Sequence, residues 1–204
     1  MRRFLLACGI ASPVLYAIAD AVAGMSWEGY SFRDQTISEL GAIGAPSRPL
    51  FSLLLVPTYL LLAAFGAGVR QSAAGRRPLR MAGTLVIALA VLALTAGQAA
   101  PMRMRGTAQG MAGALHLAEG LVAMLILLAA MWLAAATLGR RFVAYTGVTV
   151  LLMLAFGAWS GSAAPRIEAG LDTPWTGAAE RIFWYAYQLW FLVLAIVLLR
   201  EKQS

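Results

Sequence analysis

The sequence predicts an all-α fold: a polytopic membrane helical bundle of six transmembrane helices. Both termini are expected on the cytoplasmic side, with a short interfacial helix after the first span. Three observations predict it. Hydrophobic residues make up 61% of the 204 residues and charged ones 12%, against about 45–50% and about 25% in a soluble domain. The apolar residues fall into six runs, at 4–25, 48–69, 79–100, 110–138, 142–164 and 178–199. The basic residues lie in the short gaps between them. A run of 22 residues makes a helix of about 33 Å, enough for a hydrocarbon core of about 30 Å. Backbone polar groups in lipid must be satisfied within the span, so each run is a helix.

The first run follows Arg2 and Arg3 and is too long for the apolar part of a signal peptide, so it is expected to span. It carries Gly9, Pro13, Tyr16 and Asp20 at spacings of three or four, and Pro13 is placed to kink it. Cys8, the single cysteine, allows neither an internal disulfide nor a cysteine metal cluster. In the segment 26–47, Asp34 or Thr36 can cap a short helix through Leu40, with Gly41 or Gly44 ending it. Ile37 and Leu40 give that helix one apolar edge, for a membrane surface or for docking on the bundle.

The third run ends near Gln98. The fourth is the longest and is expected to tilt or to begin in the headgroup layer. It holds the only histidine, His116, in a stripe with Gln109, Gly113 and Gly120, and Glu119 overlaps that face. Residues 139–141 barely turn the chain, so the fourth and fifth helices are antiparallel neighbours. The sixth opens with Glu180 and Arg181, whose side chains diverge by about 100°, and continues on one face through Trp184 and Gln188.

Orientation follows from the basic residues. With the N-terminus inside, the cytoplasmic pieces carry ten basic residues, Lys202 among them, and one acid, Glu201, for a net +9. The opposite side carries six of each, for a net of zero. The chain is therefore expected in the bacterial cytoplasmic membrane, multi-pass, with the longer loops outside. The overall formal charge of +7 is topological and does not point to nucleic acid.

In this topology Asp20, Gln98, His116, Glu119, Glu180 and Arg181 come from four helices yet share the extracytoplasmic half of the bilayer. An acid at mid-helix costs about 2.5–3.5 kcal/mol to insert, so such residues face the bundle interior. The expectation is a polar pocket in that half, covered by the segment around 34–41, binding a lipid head group or small amphiphile. Its ligand-binding residues would be Asp20, Asp34, Glu39, His116, Glu180 and Arg181. Arg181 would take an anionic group, and Asp34, Glu39 and Glu180 would take hydroxyl or amine donors. Pairing of Arg181 with Asp20 or Glu119 is the competing use.

The alternative is an intramembrane lipid hydrolase or transferase with His116, Glu119 and Ser38 as catalytic candidates. The pattern calls for no metal; were one held, His116, Glu119 and Asp20 would be its ligands. A structural subunit of a membrane complex is the third reading. Membrane lipids are the expected partners, with a membrane protein or a second copy of the chain as further ones. One histidine excludes bis-histidine haem, one cysteine excludes an iron–sulfur cluster, and no phosphate-binding loop points to a nucleotide.

The string Asp34-Gln35-Thr36-Ile37-Ser38-Glu39-Leu40-Gly41, Leu115-His116-Leu117, and Gly177 through Ile182 resemble a bacterial and archaeal membrane family. It is catalogued as domain of unknown function 998. The resemblance covers essentially the whole chain, with Ile37 through Gly41 its most specific part. It implies six membrane helices and no particular activity. Its motif positions are Asp34, Ser38, Glu39, Gly41, His116, Glu180 and Arg181. Where the family often has an acidic stretch after the third span, this chain has Pro101-Met102-Arg103-Met104-Arg105.

Overall fold

The structure, a computed structural model, describes residues 1–201; Lys202, counted above among the basic residues, lies outside them. The order is α1 Arg2–Met25, α2 Ile37–Leu40, α3 Arg48–Gln71, α4 Arg77–Ala99, α5 Gly110–Ala135, α6 Arg140–Ser162, α7 Ala164–Glu168 and α8 Thr176–Arg200. Six helices are long and apolar enough to cross a membrane, as expected. α1 continues through Pro13. The fourth expected run stops as helix at Ala135 rather than 138, because residues 136–138 make the turn into Gly139, whose positive φ of 89° starts α6. The sixth begins two residues early, at Thr176.

The long helices form a ring in the order α5, α4, α3, α1, α8, α6. Lipid removes the hydrophobic drive between helices, so close packing of small residues holds them together. Gly66 of α3 and Gly83 of α4 show this: a Cβ on either would lie 2.8 or 2.6 Å from the other's carbonyl oxygen. At the end where the chain begins, Arg2 donates to the carbonyls of Leu198 and Glu201, and Arg76 forms a bidentate pair with Glu201. Arg2 and Arg200 therefore lie at one end of the bundle, called the terminal end below. The other is the capped end.

The ring has one weak seam, between α5 and α6. The turn at 136–139 forces these helices together at the terminal end. There α5 buries Leu127, Ala130, Met131, Ala134 and Ala135, and α6 buries Phe142, Thr146, Thr149, Val150 and Met153. Toward the capped end neither helix has a fully buried residue, over 114–125 of α5 and 154–162 of α6. The two helices are thus poorly sealed against each other there, although at the capped end itself the Gln109 amide, which precedes α5, donates to Glu168 of α7 at 3.0 Å.

Candidate functional site

The capped end is built by α2 and the loops around it. Thr36 caps α2 by accepting from the Glu39 amide at 3.2 Å, and the Glu39 carboxylate accepts from the Thr36 amide at 2.9 Å. This reciprocal pair fixes a single turn of helix that would not persist alone. Ile37 and Leu40 are sealed against α1 and α3, so the apolar edge docks on the bundle. Gly177 lets α8 meet the segment: a Cβ there would collide with the Gln35 carbonyl.

Four ionic anchors hold this cap, and they use most of the charged residues assigned above to ligand binding. Arg181 donates to both Asp20 oxygens at 2.8 and 3.0 Å, to the Tyr30 hydroxyl at 2.7 Å, and to the carbonyls of Phe32 and Gln35 at 2.6 and 3.0 Å. Tyr185 donates to Asp20 at 2.6 Å. Glu180 accepts from the Ile37 and Ser38 amides, at the N-terminus of α2, and from the Ser38 hydroxyl at 2.8 Å. Glu39 receives a bidentate Arg105 at 2.9 and 3.0 Å, and Arg105 also donates to the Leu171 carbonyl and the Thr173 hydroxyl. Asp34 is held by Arg33 and accepts from the Trp175 amide at 3.0 Å.

Two pKa directions follow outside the spans. The Arg33 guanidinium, then the Trp175 amide, hold the Asp34 carboxyl well below its ordinary value. Burial pushes the Tyr30 phenol well above its own, against the nearby Arg181 cation. Trp175 itself sits at φ 65°, a left-handed conformation rare for a bulky residue, with Arg33 5.4 Å from its ring centroid.

Below the cap lies a cavity of about 410 Å³, walled by α1, α3, α4, α5, α6 and α8. Ile37, Ser38 and Gly41 form part of its roof. Its wall is mostly apolar, with Arg48, His116, Glu119 and Gln188 among its polar members. His116 Nδ1 lies 3.2 Å from the Ala100 carbonyl oxygen. A carbonyl only accepts, so in the neutral ring Nδ1 carries the proton and Nε2 is a bare acceptor. Glu119 makes no hydrogen bond or ion pair to a described residue. A Cβ built on Gly97 would lie 3.5 Å from its Oε1, which places that oxygen beside α4.

The polar residues predicted to converge therefore divide into two sets. Asp20, Asp34, Glu39, Glu180 and Arg181 bind one another and the cap. Their donors and acceptors meet protein, where Arg181 was expected to take an anion and the three acids ligand donors. His116 and Glu119 face the cavity with unpaired acceptors. Among the described residues no three His, Cys, Asp or Glu side chains come together as a metal group, so His116, Glu119 and Asp20 are not assembled; Asp20 turns to Arg181. The Ser38 hydroxyl is committed to Glu180 and does not meet His116, the arrangement a serine nucleophile would need.

Sequence reasoning missed three participants. Arg105 was read only as loop charge, and its pairing depends on a fold-back that no local pattern encodes. Arg48 stands in no motif, although Phe51, Ser52 and Leu55 repeat at helical spacing behind it and line the cavity with it. Gln188 was placed on the right face of α8, but its burial at 4% exposure was not visible.

The family model described as Protein of unknown function (DUF998) matches residues 10–197. No curated protein and no solved structure matches the chain.

Proposed function

We propose that this chain, which belongs to the DUF998 family, is a multi-pass membrane protein that draws an amphiphile from the surrounding leaflet into its cavity. The ligand enters sideways between α5 and α6, and its polar end meets Glu119 and His116. The carrying observation is the coincidence of two features. The cavity wall presents unpaired acceptors on Glu119, His116 and Gln188, and it is least sealed between α5 and α6 on the side of the capped end. Of these, the Gln188 Oε1 is buried without a partner, at a cost of about 1–3 kcal/mol, so a donor-bearing ligand has something to satisfy there. A volume of about 410 Å³ suits one drug-sized molecule or a single chain with its head. The charge asymmetry of the loops supports placing the capped end outside, in the bacterial cytoplasmic membrane.

A second reading is favoured by one observation. The bare Nε2 of His116, three residues before Glu119, has the arrangement of a general base beside an acid. In that reading the bound amphiphile is hydrolysed, with water rather than Ser38 as the attacking group.

Native mass spectrometry of the protein released from its own membrane tests both. A stoichiometric lipid-sized adduct is expected, retained in Asp34→Asn and lost in Gly120→Phe. An added side chain at Gly120 meets no atom within 4 Å and would fill cavity space. An adduct-free wild type would leave a purely structural subunit. Turnover of the adduct in wild type but not in His116→Ala would favour the enzyme.

A further inference from the structure

Resting on that reading of the cavity, we propose that its amphiphile carries a zwitterionic head, a phosphate joined to a primary ammonium. Arg48 takes the phosphate, and Glu119 with His116 takes the ammonium. Arg48 lines the cavity, half-buried, and its guanidinium makes no hydrogen bond or ion pair to a described residue. It is the unpaired cation of a wall whose unpaired anion is Glu119. Arg181, by contrast, is consumed by Asp20, Tyr30 and the cap carbonyls, and cannot serve an outside anion without dismantling the cap.

The register of the helices gives the spacing. Gly66 of α3 faces Gly83 of α4, and the two run antiparallel, so Ser52 is level with Gly97. The Glu119 carboxylate lies beside Gly97. Arg48 is four residues from Ser52 along α3, so its Cα stands about 6 Å nearer the capped end than the level of Gly97, a gap its flexible side chain can span or shorten. Two methylenes and an ester oxygen separate an ammonium from a phosphorus atom in an ethanolamine-type head, a span of the same order. A guanidinium fork fits phosphate oxygens. A carboxylate and an imidazole Nε2 are both acceptors, so the cation between them must supply N–H groups. A primary ammonium has three. A quaternary ammonium has none.

Since the phosphate lies between the ammonium and the chain, the head must fold back on entering. The phosphate would sit nearest the capped end, the ammonium would turn inward, and the chain would lie along apolar cavity wall such as Leu62, Leu89 and Leu127.

The test uses the full chain in detergent, titrated with lysophosphatidylethanolamine, lysophosphatidylcholine and lysophosphatidylglycerol, with bound lipid counted by native mass spectrometry. The ethanolamine lipid is expected to bind about tenfold tighter than either other, the loss expected when a charge-assisted hydrogen bond lacks its donor. Glu119→Gln should erase the preference over the choline lipid, while Arg48→Gln should weaken all three. Wild-type preference decides the matter even if a variant fails to fold. Equal binding of the three, or an unchanged preference in folded Glu119→Gln, overturns the zwitterion and leaves the cavity reading standing. Saturable binding of none overturns both.

Discussion

Replacing Arg181 with Met should cost more stability than any other single change at the capped end. The side chains of Arg181 and Asp20 are 11% and 3% exposed. Removing the guanidinium leaves the Asp20 carboxylate buried with only the Tyr185 hydroxyl, and strips donors from the Phe32 and Gln35 carbonyls. Breaking a buried pair from one side costs about 3–5 kcal/mol, because an uncompensated charge remains. In a chain of this length that lowers the unfolding midpoint by about 10 °C. The remedy is as diagnostic as the damage. Asp20→Asn in the same chain removes the stranded charge, so the double variant should be more stable than the sum of the singles by about 2 kcal/mol. Thermal unfolding followed by tryptophan fluorescence in detergent measures all four corners of the cycle. A loss below about 1 kcal/mol for Arg181→Met, or strict additivity, would refute the assignment of this pair as the principal anchor of the cap.

Other expectations follow from the same geometry. Thr36→Ala removes the cap of α2 and should cost about 1 kcal/mol, read as faster amide exchange over 36–41 with the spans unchanged. Gly177→Ala should open the same segment, since its methyl would occupy the place of the Gln35 carbonyl; normal protection there would contradict the packing. Gln188 Oε1 is buried without a hydrogen-bond partner, so Gln188→Leu should raise the stability of the lipid-free protein by about 1–2 kcal/mol, seen as a higher midpoint in delipidated detergent. Acid should loosen the loop at Asp34. Its carboxyl is held below the ordinary 3.8, so its contribution is complete above that value and is lost as pH falls through the lower folded-state value. The protection factor of the Trp175 amide, its exchange rate relative to that of an unstructured amide at the same pH, should therefore be flat from neutral pH to about 4 and fall only below it, and Asp34→Asn should abolish that acid limb.

The helices were legible because lipid makes them so. Length and hydropathy decide a span, and the small shifts at residues 135 and 176 reflect turns that begin inside apolar sequence. The short helix was legible too, but its sequence allows either Asp34 or Thr36 as the cap, and the Thr36–Glu39 capping box decides it for Thr36. Proximity of the polar residues was anticipated from their shared level, but partnership was not. Level fixes depth and leaves azimuth free. Asp20 and Glu119 differ by which neighbour their helix face meets, α8 for one and the cavity for the other, and a rotation of 100° decides between them. Arg105 and Arg48 show the same limit. The first reaches Glu39 by a loop that folds back over the bundle, and the second faces inward only because α3 is rotated that way.

The seam between α5 and α6 was the least predictable feature, because a short turn implies close neighbours along their full length. It is also what the functional account depends on. A cryo-electron microscopy structure of the protein in nanodiscs of its native lipids, with a rigid fiducial bound, examines it directly. The account predicts α5 and α6 parted over 114–125 and 154–162, with density for one amphiphile between them and its polar end at Glu119 and His116. Helices closed along their length over an empty cavity would contradict it.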